Sequence, residues 1–277
     1  MNPDQYCQQK AAPPGSSFHY SFLFLPPTRR RAITALYAFC REVEDVVGEC
    51  SDAQLARTKL AWWRMEVGKL FEGSPNHPVT NALRPLVGKF QIRAEQLNEV
   101  IDGMEMDLAQ TRYLDFAGLA HYCNHVAGAT QQLAAGILGY SNPRSLDYAR
   151  NLGTALQLTR IIREVGRDAR RHRIYLPMDE LRKFDVPAAD ILQARYSEGF
   201  AGLMKFQSAR AGDFYRKAIA ALPSEDRRSQ RAGLIMAAIQ RASLAEVERD
   251  GFRVLTHRTS LTPLRKFWLA WKTWVSN

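Results

Sequence analysis

Cysteine is scarce in this chain of 277 residues: Cys7, Cys40, Cys50 and Cys123, with no CxxC pair. Neither a disulfide framework nor a zinc-finger spacing can be built from them. With no signal-peptide pattern at the N-terminus, the thiols are expected to be reduced in a cytoplasmic protein. No apolar run reaches the length of about 18 residues that a bilayer-spanning helix needs. No glycine-rich dinucleotide loop is present, which argues against reduction by NADPH. An RNP motif and an isolated basic tail are also missing, so the net charge of +10 does not translate into nucleic-acid binding. Period-two alternation followed by a hairpin turn occurs nowhere, which removes the β classes and leaves an all-α chain.

What is present supports a large core and an anionic partner. Hydrophobic residues make up 46% of the chain, and an excess of positive charge favours a membrane surface or a phosphorylated substrate. Helical periodicity predicts helices over residues 29–49, 52–71, 84–108, 119–138, 146–170, 188–221 and 227–250, arranged as one domain around a central cavity. Thr28 is the expected N-cap of the first, after the Pro26-Pro27 break. Residues 1–16 read as a flexible lead-in, residues 17–25 (SFHYSFLFL) have a strand-like composition, and residues 73–78 read as a loop.

Two segments carry chemistry. In residues 156–177 (LQLTRIIREVGRDARRHRIYLP), Leu158, Ile161, Ile162 and Val165 form an apolar stripe. Glu164 and Asp168 then stand one turn apart on one face, flanked by Arg160, Arg163, Arg167 and Arg171. Carboxylates in this register can hold a divalent cation, and arginines can grip phosphate oxygens. A solvated helix laced with Glu–Arg pairs has the same pattern. The end of the 29–49 helix repeats the theme with Arg41, Glu42, Glu44, Asp45 and Glu49. A third acidic cluster, DGMEMD at 102–107, lies between them. His121 and His125 have the spacing of a helical metal pair but lack a third ligand, so they read as cavity wall or core.

The ordered segments SFLFLPPTRRRAITALYAFCRE, DGMEMDL, YCNHVAG and ALQLTRIIREVGRDARRHRIYLP resemble the squalene/phytoene synthase family over nearly the whole chain. Within it they are most similar to synthases forming presqualene diphosphate in bacterial hopanoid-type squalene pathways. The resemblance implies an isoprenoid-synthase helical bundle. It also implies that two molecules of farnesyl diphosphate condense head to head, with Mg2+, to presqualene diphosphate and released diphosphate. It further implies Arg41, Tyr122 and Arg163 as catalytic residues and Ser17, Arg41, Arg160, Arg163, Arg173, Tyr175 and Arg258 as substrate-binding. The metal ligands it implies are Glu44, Asp45, Glu164 and Asp168. Phe18, Tyr20, Phe22, Phe39 and residues 126–138 are candidates for a prenyl tunnel, although residues of this kind are more often plain core.

The reactive centre departs from the family pattern. The first acidic motif reads Glu44, Asp45, Val46, Val47, Gly48, without its closing carboxylate. Arg160 replaces a usual asparagine, Glu164 an aspartate and Arg167 an acid. His125, Gln131 and Gln240 stand where arginine, glycine and tyrosine are usual. Two readings remain open: a working synthase in which arginine charge replaces part of the magnesium, or a paralogue that keeps the fold and prenyl-diphosphate binding with little catalysis. Finally, residues 262–277 (TPLRKFWLAWKTWVSN) combine Phe267, Trp268, Trp271 and Trp274 with Arg265, Lys266 and Lys272. This is the composition of an amphipathic helix at a membrane interface and equally of a terminal helix docked on the bundle.

Overall fold

The computed structural model describes residues 1–50 and 52–277. Fourteen α-helices follow one another among the described residues: α1 (Pro3–Ala11), α2 (Ser17–Phe22), α3 (Pro27–Glu49), α4 (Ala53–Glu72), α5 (Pro78–Val87), α6 (Ala94–Ala109), α7 (Phe116–Cys123), α8 (Ala129–Leu138), α9 (Arg144–Ala169), α10 (Met178–Lys183), α11 (Ala188–Leu192), α12 (Glu198–Ala221), α13 (Arg231–Arg249) and α14 (Pro263–Ser276). No strand is found among them; one isolated bridge joins Arg112 to Ile174. The all-α expectation therefore holds.

Several boundaries differ from the periodicity, each for a local reason. Residues 3–11 are helical, where composition suggests a flexible lead-in. Asn2 caps α1 by accepting from the amides of Asp4 and Gln5, and Cys7 and Ala11 are buried. The strand-like aromatic run is helical as α2, with Ser16 as its N-cap. α3 starts one residue before the expected Thr28 cap, because Pro27 sits at its first position, where the missing N–H costs nothing. The segment 84–108 is not one helix: Gln91 adopts φ 52° and turns Ile92 into the core between α5 and α6. Residues 188–221 are likewise split, with Ser197 capping α12. Residues 119–138 are continuous through a π-helical turn, Asn124–Gly128, between α7 and α8.

α9 is the central rod, packed by α8, α12, α13 and the π turn. Its stripe of Leu158, Ile161, Ile162 and Val165 is buried as its spacing requires. Burial of each such side chain contributes about 1.5–3 kcal/mol. Two glycines let neighbouring backbone approach it. A Cβ on Gly153 would lie 2.4 Å from the Ala127 carbonyl oxygen in the π turn, and one on Gly166 would lie 2.2 Å from that of Leu255. The second contact seats residues 251–262 against the acidic end of α9.

The turn that launches α9 hangs on a buried carboxylate. Asp226 accepts from the Ser141 amide (2.7 Å), the Ser141 hydroxyl (2.7 Å), the Asn142 amide (3.0 Å) and the Ser145 hydroxyl (2.7 Å). Burial opposes its charge, but these donors outweigh it and hold its pKa at about 2. The stability it supplies is present above the unfolded value near 4 and is lost as pH falls toward 2. Asp226→Ala should therefore destabilise the fold by about 2–3 kcal/mol at neutral pH. Urea titrations of the two proteins should converge as the pH is lowered from 4 to 2.

Candidate active site

Two connected cavities meet at the facing surfaces of α3 and α9. The first, with a free volume of about 60 Å³, lies between α3, α6, α9 and the turn after α9. Six carboxylates line it (Glu44, Asp45, Glu49, Asp107, Glu164, Asp168), interleaved with five guanidinium groups (Arg41, Arg160, Arg167, Arg171, Arg173). It is small because the arginines fill it. Arg160 extends from α9 between the acidic helices, 3.7 Å from Glu44 Oε1 and 3.5 Å from Glu164 Oε2. Arg41 Nη1 holds Glu44 Oε2 at 2.8 Å, and Arg167 Nη1 lies 3.6 Å from Glu164 Oε2. Burial works against the charge of Arg160, but Glu44, Tyr122 and Glu164 more than offset it.

The second cavity, about 450 Å³, is within the range of ordinary ligand pockets. Phe18, Val126, Leu156 and Met236 form its apolar side. Its lining also holds five cations (Arg41, Arg160, Arg163, Arg258, Lys266) against two carboxylates, Glu44 and Glu164. Both carboxylates are already ion-paired, so Arg163, Arg258 and Lys266 carry surplus positive charge. Burial lowers the pKa of Arg163, with Arg258 adding to it. Burial also lowers that of Lys266, helped by Arg163 and Arg258. Arg163 is aimed by Gln240 Oε1 (3.2 Å) and the Thr259 carbonyl (3.5 Å). A cation-rich lining in a half-apolar pocket suits an amphiphile with an anionic head.

Most sequence-derived candidates come together here. Ser17, Arg41, Arg160, Arg163 and Arg258 line the large cavity, and Arg173 and Tyr175 the small one. Tyr122 lines neither. It is fully buried beside Tyr113 and Tyr175, with ring centroids 5.4 Å from each. Tyr175 donates to Asp107 at 2.9 Å, and Arg173 pairs with the same carboxylate at 3.0 Å. The expected tunnel residues also divide. Phe18 faces the large cavity, whereas Phe22 packs on Tyr37 and Phe39 on Trp63 within the core. His125 lies 3.8 Å from Glu99, and Asn124 between the π turn and α9 bonds Thr154.

Sequence reasoning gave Lys266 as a charge on a C-terminal helix, either interfacial or docked on the bundle, with no role in the site, yet it lines the large cavity. Arg265 beside it also faces the bundle, where it pairs with Glu246 of α13. Ser260 was likewise missed, with nothing in its neighbourhood to mark it.

The four carboxylates expected to bind magnesium do not assemble into one set of ligands. Asp45 lines the small cavity but is paired with Lys10 at 2.8 Å. Glu44 and Glu164 have a guanidinium between them, and Asp168 alone has no ion pair. Among the described residues, no three His, Cys, Asp or Glu side chains form a group able to hold an ion. The residues present do not fit a multi-carboxylate magnesium cluster.

Comparison with known proteins places this geometry. The sequence profile of the squalene/phytoene synthase family matches residues 11–265. The chain belongs to that family. The family joins prenyl diphosphates head to head, and enzymes of this type typically use a divalent metal. Among its relatives, the phytoene synthase of Arthrospira platensis is 33% identical over 95% of this chain and 89% of its own length. The chloroplastic phytoene synthase of Narcissus pseudonarcissus is 30% identical over 94% of the chain, which spans 63% of that longer protein. Among solved structures, a dehydrosqualene synthase with ligand superposes with a TM-score of 0.86 at 23% identity, covering 99% of this chain and 96% of that one. The squalene synthase HpnC of Alicyclobacillus acidocaldarius gives 0.78 at 23% identity, covering 90% and 94%. These likenesses establish the family and the isoprenoid-synthase-type fold.

The unpaired Asp168 makes a measurable pH signature. Burial first, then Glu164 and Asp107, raise its pKa to about 7 against the opposing pull of Arg160. The folded state thus holds this proton more tightly than the unfolded chain, and ionisation costs stability as pH rises from about 4 to 7. Asp168→Asn should raise the melting temperature by an amount that grows over that range and levels off above it. The gain should reach on the order of 3–4 kcal/mol at most. Thermal melts of both proteins at pH 5 and pH 8 check it.

Proposed function

We propose that this protein is a prenyltransferase that condenses two farnesyl diphosphates head to head, forming presqualene diphosphate and releasing diphosphate. The large cavity carries the reading: its apolar lining suits a hydrocarbon chain and its surplus cations suit a diphosphate. When the C1–O bond of one substrate breaks, negative charge develops on the leaving group. Arg41, Arg163, Arg258 and Lys266 are in place to meet it, and such preorganised charge is most effective away from water. The allylic cation left behind is captured by the double bond of the second substrate, with loss of a proton. Phe18, Val126 and Met236 keep water from it. Ser17 lies at the rim as a polar contact. Tyr122 acts at a distance, by packing the Tyr175–Asp107–Arg173 group.

A second reading, binding without turnover, is favoured by one observation: Arg160 occupies the space between Glu44 and Glu164. Incubation with labelled farnesyl diphosphate, with and without magnesium, distinguishes the two. Presqualene diphosphate and diphosphate in equal amounts support the first, and Arg163→Gln should then lower kcat by about 10²–10³. Competition for a prenyl-diphosphate probe with no product supports the second. Failure to bind either substrate or probe overturns both.

The proposal extends to a bilayer. Among the described residues, no helix is long and apolar enough to cross a membrane. α14 docks through one face, with Trp274 stacked on Phe24 at 5.3 Å, Ala270 buried and Lys266 in the cavity. Its other face leaves Leu264, Phe267, Trp268, Trp271 and Val275 exposed, with Lys272 above Trp268. That face suits the headgroup region of an anionic cytoplasmic leaflet, to which the protein would attach from the cytoplasmic side. Because the docked face belongs to the site, removal of residues 262–277 would disturb both properties. Trp268→Ser combined with Trp271→Ser isolates the outer face. This variant should bind anionic vesicles at least about tenfold more weakly at low salt, with unchanged helicity. Equal binding of variant and parent in a vesicle-sedimentation assay would remove the membrane role.

A further inference from the structure

We infer that this chain grips the diphosphate of its ligand with guanidinium and ammonium groups alone, Arg160 acting as the bridging cation between the acidic segments of α3 and α9. The inference rests on the diphosphate-binding reading above and concerns what supplies the positive charge. Three observations on separate residues carry it. First, the Arg160 guanidinium already spans Glu44 and Glu164, at 3.7 and 3.5 Å. A divalent ion placed between those carboxylates would have to displace a half-buried cation that is already ion-paired, and two like charges cannot share that space. Second, Asp45 is committed to Lys10, and no three ligating side chains converge among the described residues. Third, the large cavity already has the charge that an anion needs. Arg163, Arg258 and Lys266 stand there without a carboxylate of their own.

Polar hydrogens are also left over for the ligand. Arg160 Nη1 and Arg163 Nε are buried and have no hydrogen-bond partner. Both residues line the large cavity. Buried donors of this kind are costly unless something accepts from them, and phosphate oxygens do so with charge assistance. Glu44 and Glu164 then serve as anchors that keep the Arg41 and Arg160 side chains extended and charged, in place of metal ligation.

Isothermal titration with inorganic pyrophosphate tests this without any catalytic readout. The full-length protein is titrated once in EDTA and once in magnesium. The expected result is the same Kd within about threefold in both, and no heat from magnesium chloride alone. Binding only in magnesium, or tightened there by more than about tenfold, overturns the inference while leaving diphosphate recognition intact. No binding in either buffer overturns the underlying reading as well.

A variant tests it in the other direction. Gly48→Asp, Arg160→Asn and Arg167→Glu together should create magnesium dependence, with pyrophosphate binding at least about tenfold tighter in magnesium than in EDTA. A side chain at position 48 is tolerable, since its Cβ would meet only the flexible end of Arg171, at 3.2 Å. Should that protein not fold, Arg258→Gln alone should weaken pyrophosphate binding in EDTA by about tenfold. Unchanged affinity there overturns the inference.

Discussion

A positive charge partly withdrawn from water must be matched by negative charge at short range, and in this protein the half-buried Arg160 is matched by carboxylates from two different helices. Glu44 comes from α3 and Glu164 from α9 itself, so the ion pairs fix the spacing of the two helices that form both cavities. Arg41 and Arg167 extend the arrangement on either side. Removing one member would leave an uncompensated charge in a poorly solvated cleft, which is far more costly than losing a surface pair. The polar seam therefore determines where the apolar walls stand, and the volume available to a prenyl chain follows from it.

Much of this was legible in the sequence. The apolar stripe of α9 and the i,i+4 placement of Glu164 and Asp168 follow from helical geometry, and the arginine-rich context pointed to an anionic ligand. Resemblance to the squalene/phytoene synthases supplied Arg163 and Arg258 as partners across about a hundred residues of chain, which periodicity cannot do. What escaped was tertiary. Lys10 pairs with Asp45 at the cleft, and nothing near residue 10 signals it. Tyr122 has the surroundings of a site residue in sequence, but its neighbours Tyr113 and Tyr175 enclose it. The helix breaks at Gln91 and Ala194 come from left-handed residues that are not glycine, the least predictable kind of turn.

The departures from the family pattern also fit together physically, although they looked like independent losses in one dimension. The absence of a side chain at Gly48 leaves room for Arg171, whose guanidinium approaches that position. Arg160 and Arg167 both lean on the single carboxylate of Glu164. Arginines that contact the carboxylates of this centre balance its charge without added ions.

The construction of α14 has a mechanical corollary. Lys266 points into the large cavity while Trp271, five residues on, faces outward, about 7.5 Å further along the same rigid rod. An inflexible lever cannot move at one point alone. Any force that tilts or slides the outer surface of this helix also shifts the ammonium group inside, and with it the electrostatic potential felt by the bound anion. Conversely, a ligand that pulls on Lys266 alters the angle at which the tryptophans are presented. The helix thus transmits between the protein's exterior and its cavity with no intervening hinge.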